Sequence, residues 1–276
     1  MSTEVRDVED IEVALLLEAI HRRYGFDFRE YAPASLKRRL WRRASAEGVE
    51  TISALQALVL HDPACMERLL LDLSINVTTM FRDPSFYAAF REKVAPMLRT
   101  YPFTRIWMAG CSTGEEVYSL AIVLQEEGVL ERTRIYATDI NEAVIERARL
   151  GVFPLEKMQE YTQNYLAAGG GRAFSEYYLA SYDGAVFDRS LVENAVFAQH
   201  NLVSDRGFNE FHVIVCRNVM IYFDRSLQER VFSLFHESLA HLGVLALGHK
   251  ETIRLSSFAR HYEEIDPIEK LWKKVS

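Results

Sequence analysis

The chain has 276 residues, 49% hydrophobic and 12% aromatic, enough for one large or two modest domains with a real core. Its acidic start, net charge of −7 and lack of any apolar run near the ~20 residues that cross a bilayer argue against a secretory signal or membrane insertion, so a cytoplasmic protein is expected. Cys65, Cys111 and Cys216 are odd in number and widely spaced, which excludes a disulfide framework or a CxxC metal site and leaves them as reduced packing residues.

Residues 9 to 24 carry apolar side chains in a helical rhythm that Gly25 closes. A second helix follows Pro33, and a helical wheel sets Leu36, Leu40, Ala44 and Trp41 against an outer face of Arg38, Arg39, Arg42 and Arg43. Between Arg22 and Arg43 eight basic residues stand against Asp27 and Glu30, a net of +6 that leaves −13 elsewhere. Arginine suits bidentate contact with carboxylate or phosphate, so this face is a candidate substrate-binding surface. Two further helices, 51 to 60 and 63 to 73, complete a helical domain over residues 1–73. The stretch from Ser74 to Ser85 mixes polar and apolar residues too regularly for a plain linker and leads into a helix from 85 to about 99.

The chain turns on Arg105 to Glu116, an apolar strand that breaks into a small-residue loop with glycines at 110 and 114 and then into a helix through Leu124. The glycines let a ligand approach the backbone. Glu115 and Glu116 in the first helical turn would repel a pyrophosphate but suit a ligand with positive charge and hydroxyls, of which S-adenosylmethionine is one. A second apolar run ends at Asp139, roughly 20–25 residues on, where a ribose-binding acid belongs. Asp139 or Asn141 could equally cap the helix from 142 to 150.

Beyond a Pro154 turn, a helix is expected at 158 to 166, then a glycine-rich turn and a hairpin from Tyr177 to Leu191. Residues 194 to 202 read as a third strand, Phe211 to Phe223 as a fourth that breaks at Asn218, 226 to 239 as a helix, and 243 to 248 as a fifth strand. A hairpin split at Asp266-Pro267 closes the chain. In an open α/β sheet the strand carboxyl ends face the ligand, which puts Asn201 and Asn218 on the side of Asp139. The eight histidines show no metal-ligand grouping, so no metal is expected.

With these pieces placed, the sequence resembles the CheR-type chemotaxis methyltransferases over nearly its whole length. Cys111-Ser-Thr-Gly-Glu-Glu-Val-Tyr-Ser-Leu-Ala is similar to the family's glycine loop, Ala137-Thr-Asp-Ile to its ribose motif, and Cys216-Arg-Asn-Val-Met-Ile-Tyr-Phe to its long strand motif. Asn76-Val-Thr-Thr-Met-Phe-Arg matches a further pattern except that Met80 replaces a Phe. The resemblance implies a class I (Rossmann-like) α/β methyltransferase sheet of seven strands, the last antiparallel, over residues 74–276. It adds an N-terminal all-helical domain and a small antiparallel β-subdomain near 175–192. It implies S-adenosyl-L-methionine as cofactor, S-adenosyl-L-homocysteine as product, and contacts from Asn76, Thr78, Arg82, Glu116, Asp139, Asn201, Leu202, Asn218 and Val219, beside the loop residues Gly110 and Glu115. Arg82 and Tyr222 would lie nearest the transferred methyl. The implied activity is methylation of glutamates on chemoreceptor cytoplasmic helices, recognised by the arginine helix, in a protein expected to be a monomer.

Two other functions compete: an RNA methyltransferase using the arginines on phosphates, and a non-catalytic S-adenosylmethionine-binding sensor. The acidic remainder of the chain and the lack of an RNA-binding module argue against nucleic acid. No lesion in the motifs favours the sensor.

Overall fold

Two units divide the chain in the computed structural model: Met1–Ile75 with Tyr222–Arg230, and Asn76–Ile221 with Val231–Ser276. The structure describes residues 8–73, 78–182 and 184–276.

The first unit is built from α1 (Val8–Tyr24), α2 (Pro33–Ala46), α3 (Ile52–His61) and α4 (Pro63–Leu73). Their ends follow local chemistry. Gly25 leaves α1 at φ +78° with its N–H on the His21 carbonyl (2.9 Å), Pro33 and Pro63 occupy first turns where no N–H is needed, and the Thr51 hydroxyl caps α3 by accepting from the Ala54 N–H. Leu16, Ile20, Leu40, Ile52, Leu55, Val59 and Leu69 are fully buried between the helices, each worth about 1.5–3 kcal/mol relative to exposure. The late segment Tyr222–Arg230 joins this unit through backbone bonds: the Ala32 N–H donates to the Tyr222 carbonyl and the Asp224 N–H to the Glu30 carbonyl, both at 2.9 Å. The Tyr31 and Phe223 rings meet 5.0 Å apart. A boundary near residue 73 does not foresee this return, because a pairing across some two hundred positions leaves no periodicity in the sequence.

In the second unit the helix expected at 85 to 99 is broken into α5 (Pro84–Ala89), a π-helical turn (Phe90–Val94) and α6 (Ala95–Leu98). Pro96 has no N–H to continue the α-helical ladder, and the wider turn accommodates it. There follow β1 (Thr104–Ala109), α7 (Glu115–Glu126), β2 (Thr133–Asp139), α8 (Glu142–Leu150), β3 (Val152–Phe153), α9 (Met158–Ala167), β4 (Tyr178–Ser181), β5 (Gly184–Phe187), β6 (Val196–Gln199), β7 (Phe211–Cys216), α10 (Arg225–Ser238), β8 (Leu239–Leu247), β9 (Tyr262–Asp266) and β10 (Leu271–Lys274). The main sheet runs β6-β2-β1-β7-β8-β10-β9. Strands β6, β2, β1, β7 and β8 are parallel, and β10 lies antiparallel to β8 and β9. The expected methyltransferase sheet, with its last strand reversed, is therefore present.

Three details differ from the sequence reading. The fourth strand stops at Cys216 instead of running to Phe223, since Asn218 takes φ +60° and a 3-10 turn follows at Met220–Tyr222. The fifth begins at Leu239, directly from the helix end. The hairpin gains a third strand, because Val152 and Phe153 pair with Val186 and Ala185 to give a small sheet in the order β3-β5-β4.

Chain order doubles back at β1, which has β2 on one side and β7 on the other. Ligands of open α/β sheets bind outside the carboxyl ends at this reversal. Trp107 anchors the position from below, fully buried, its indole N–H on the Thr138 hydroxyl at 2.8 Å. Among the described residues no helix is long and apolar enough to cross a membrane, and no group of His, Cys, Asp and Glu could hold a metal ion. All three cysteines are buried and unpaired, and burial pushes the Cys111 and Cys216 thiols well above their usual range, against a nucleophilic role.

Candidate functional site

The ends of β1, β2, β6 and β7 bring together most of the residues singled out in the sequence. After β1, Gly110 turns at φ +79° and donates its N–H to the Thr138 carbonyl at 2.8 Å. A Cβ there would come within 2.4 Å of Val219 Cγ2, so Gly110 is the residue that lets the loops after β1 and β7 close on each other. Gly114, at φ +97°, is as constrained: a Cβ would meet the Cβ and Cα of Ala148 at 2.8 and 2.9 Å. The two glycines thus serve tight packing of the loop after β1 against Val219 and α8.

The two glutamates opening α7 have different fates. Glu115 is buried, accepts from the Thr113 hydroxyl at 2.6 Å, and burial raises its pKa. Glu116 is ion-paired with Arg217. At the end of β2, Asp139 accepts the Ser112 N–H on one oxygen (2.9 Å) and the Asn141 N–H on the other (3.1 Å). Burial lifts its pKa and these amides counter the rise. Asn141 is the cap of α8, accepting from the Ala143 N–H at 2.9 Å. The division of labour is clear: Asn141 starts the helix, and Asp139 stitches the loop after β1 to the loop after β2. A carboxylate has roughly four acceptor positions, so the Ser112 and Asn141 amides, with that of Ile140, leave Asp139 room to accept from a ligand hydroxyl.

After β6, Asn201 is buried in a turn, its side-chain oxygen accepting the Val203 N–H (3.0 Å) and its own N–H donating to Asp205 (2.8 Å). Leu202 lies half-buried in the same turn. After β7, the placement of Asn218 and Val219 depends on a residue that sequence reasoning missed. The buried Glu251 carboxylate accepts four backbone N–H groups: Asn218 (2.9 Å) and Gly248 (2.7 Å) on one oxygen, Val219 (2.9 Å) and Met220 (2.7 Å) on the other. Burial raises its pKa, offset in part by those amides. A lone glutamate in a polar turn carries no signal in sequence.

Arg82 sits between Phe81 (φ +50°) and Asp83 (φ +55°), two non-glycine residues in the left-handed region. Such conformations cost of order 1–3 kcal/mol each and persist only where the surroundings fix them. Here the fixing groups are the Ser119 hydroxyl, which accepts the Phe81 N–H at 2.9 Å, and Arg217, whose two terminal nitrogens both donate to the Arg82 carbonyl at 3.3 Å. Met80, in place of the motif's aromatic, is fully buried. Thr78 is half-buried. Asn76 lies outside the described residues.

Tyr222 belongs to the helical unit, where the Arg39 guanidinium stacks over its ring at 4.9 Å. That contact corrects the expected arginine face. At 100° per residue Arg39 and Arg43 fall about 60° and 20° from Leu36, on the apolar arc. Arg39 is accordingly buried, donating to the Leu73 carbonyl (2.5 Å) and the Ser35 hydroxyl (3.0 Å), and burial lowers its pKa. Arg43 binds Asp72 and Glu47. Arg42 is exposed but pairs with Asp72 at 2.5 Å, and Arg38 is exposed. Trp41, assigned to the apolar arc, is exposed instead with its indole N–H on Glu9 (2.6 Å). Much of the segment's positive charge is thus spent inside the unit.

The strand ends offer a close-packed glycine turn at Gly110, a carboxylate with acceptor capacity at Asp139, and an ion-paired and a buried acid at the start of α7. Those features fit the ribose hydroxyls and cationic groups of S-adenosylmethionine. Comparison with known proteins agrees. Residues 76–266 match the family model described as CheR methyltransferase, SAM binding domain, and residues 11–74 match that of the CheR methyltransferase all-alpha domain. The chain is 49% identical over 265 residues to a protein of Pseudomonas putida named putative methyltransferase Cher3, spanning 96% of this chain and 97% of that one. It is 30% identical over 258 residues to the chemotaxis protein methyltransferase of Salmonella typhimurium, with 88% and 84% covered, and 29% identical over 237 residues to that of Listeria monocytogenes, with 85% and 87% covered. With both of its units matched and its strand-end crevice suited to S-adenosylmethionine, the chain belongs to the CheR methyltransferase family.

Proposed function

We propose that the protein transfers a methyl group from S-adenosylmethionine to glutamate side chains on the cytoplasmic helices of a chemoreceptor, forming methyl esters, and that it does so as a cytoplasmic monomer. What supports this reading is the 81–83 backbone, held in left-handed conformations by Ser119 of α7 and by Arg217, the first residue after β7; in this proposal Arg82 is the cation that meets the incoming carboxylate. The names of the Salmonella and Listeria relatives support the chemotaxis setting. The internal pairing of Arg39 and Arg43 weakens the case for a phosphate-binding face and so for RNA.

S-adenosylmethionine supplies an electrophilic methyl on a sulfonium. The residues of this chain have the remaining tasks. Asp139 accepts from the ribose hydroxyls, and Thr78, Glu116, Asn201, Leu202, Asn218 and Val219 supply further contacts to the cofactor. Arg82 orients the glutamate carboxylate, with Tyr222 hydrogen-bonding beside the methyl path. Exposed Arg38 and Arg42 meet the acidic receptor helix. No general base is needed, since a free glutamate titrates near ~4.3 and is ionised at neutral pH. Orientation and exclusion of water are the main catalytic work, and holding reactants in near-attack geometry supplies up to roughly 7–11 kcal/mol.

The test is incubation with methyl-labelled cofactor and a purified receptor cytoplasmic fragment. Label released as methanol by mild base identifies a carboxyl ester. Arg82→Ala is expected to lose turnover, and Tyr222→Phe to fold and bind cofactor yet turn over more slowly. Base-stable label, or wild-type rates in both variants, would sink the proposal.

A further inference from the structure

We infer that Arg217, a residue with no assigned part in the reaction, is a positioning residue that sets the Glu116 carboxylate and the Arg82 main chain together. The inference rests on the reading that Glu116 and Arg82 face the cofactor and the incoming carboxylate.

Arg217 is the first residue after β7, beside the point where the strand order reverses. Its side chain is 1% exposed. One guanidinium reaches two separate segments at once: Glu116 at the start of α7, and the 82–83 turn through the Asp83 carboxylate (2.8 Å) and the Arg82 carbonyl (3.3 Å to each terminal nitrogen). Its Cζ lies over the Phe86 ring, 4.0 Å from the ring centre. Burial works against its charge, yet the neighbouring carboxylates prevail and hold it protonated above its ordinary range. Only a planar fork makes this set of bonds; a lysine ammonium is a point charge that cannot span them.

The arrangement couples two things that the reaction needs at the same time. The left-handed residues on either side of Arg82 require an outside constraint, and Arg217 provides it at the carbonyl. Glu116, at a helix start, would otherwise be free to swing toward solvent, and Arg217 fixes its rotamer. A shift of the guanidinium therefore moves a cofactor acid and the backbone of the carboxylate-orienting arginine in one step. A buried charge kept merely for packing is a poor device, since well-packed apolar groups serve stability as well or better.

The test measures S-adenosylmethionine affinity by calorimetry, with no receptor present, and turnover on a receptor fragment, for Arg217→Lys, Glu116→Gln and the double variant. Each single change is expected to weaken cofactor binding about tenfold, the loss that one charged hydrogen bond entails. If Arg217 acts through Glu116, the double variant is no more than about twofold weaker than the weaker single, whereas independent structural effects multiply. Arg217→Lys is also expected to lower kcat at saturating cofactor, because the Arg82 turn loosens. Multiplying affinity losses, or wild-type affinity and kcat in Arg217→Lys, would overturn the inference. If Arg217→Lys does not fold, Asp83→Asn loosens the guanidinium from its half-exposed side. It should weaken cofactor binding about threefold and couple to Glu116→Gln in the same way, and wild-type behaviour there overturns the inference too. Wild-type affinity in Glu116→Gln would remove Glu116 from the cofactor site and this inference with it, while leaving the methyl-ester test of the reaction standing.

Discussion

The paired acids of the helical unit and the buried acids at the strand ends of the sheet unit are held in opposite ways. In the helical unit Asp27 is held below its usual range by a hydrogen bond from Arg29, and Glu47 by one from Arg68, both half-buried carboxylates paired with partly exposed arginines. In the sheet unit burial pushes Asp139, Glu115 and Glu251 upward, and their oxygens take hydrogen bonds mostly from backbone amides. The first pattern spends charge on charge at an interface with water. The second spends it on fixing loops, which is what a binding site on the ends of strands demands.

The pH consequences have opposite signs. A carboxylate with a lowered native pKa adds stability above its unfolded value, and that contribution is lost as pH falls through the native one. For Asp139, Glu115 and Glu251 the native pKa is raised, so their contribution is full below the unfolded value and is lost as pH rises through the native one. Acid should therefore loosen the helical unit's surface pairs while relieving the buried acids of the sheet unit.

The largest effect that would sharpen this comparison is expected from Glu251→Ala, which strands four backbone donors in a buried turn. A stability loss of about 3–5 kcal/mol in denaturant unfolding is expected, since each unsatisfied buried group costs about 1–3 kcal/mol, with some relief from water entry. Glu251→Gln keeps an acceptor and should lose less, and its stability should fall less steeply as pH rises than that of the wild type. Equal stability of Glu251→Ala and wild type would break the idea that buried acids hold the site.

A smaller effect is expected where the loops meet. Gly110→Ala forces a Cβ against Val219 and should cost about 1–3 kcal/mol, as overpacking does. Adding Val219→Ala should recover part of that loss, the remainder reflecting the positive φ at residue 110. No recovery in the double variant would mean that Val219 is not what closes the loop on Gly110.

The smallest effect belongs to the helical unit. Glu47→Gln should cost only about 0.5–1 kcal/mol in thermal unfolding, because ion pairs at a half-buried surface site contribute little and the amide keeps an acceptor, and the difference should shrink in high salt. A loss comparable to that of Glu251→Ala would erase the contrast between the units.

The sequence makes the site's frame readable and hides its fasteners. The strand, loop and helix at 105–124 and the acid at 139 stand out because apolar runs, glycines and spacing are local patterns, and the structure brings that loop and that acid together at adjacent strand ends. Glu251 and Arg217 are invisible by the same logic: a glutamate in a turn and an arginine after a strand look like surface residues until distant backbone closes on them. Arg39 fails for a different reason. Its charge suggested the outer arc of the helix, although its phase lies near Leu36, and the carbonyl of Leu73, the hydroxyl of Ser35 and the ring of Tyr222 make burial of that charge tolerable. The return of Tyr222–Arg230 to the helical unit likewise depends on pairing far apart in the chain.

The account stands most directly on Asp139, the acid that joins two loops and is left with acceptors for a ribose. Calorimetric titration of S-adenosylmethionine into Asp139→Ala, alongside the wild type and with folding checked by circular dichroism, measures that role without any receptor. The expected result is a folded variant whose affinity is lower by about 1–3 kcal/mol, the loss of a hydrogen-bonded charged acceptor. A folded variant that binds the cofactor as tightly as the wild type would contradict the placement of the cofactor in this crevice.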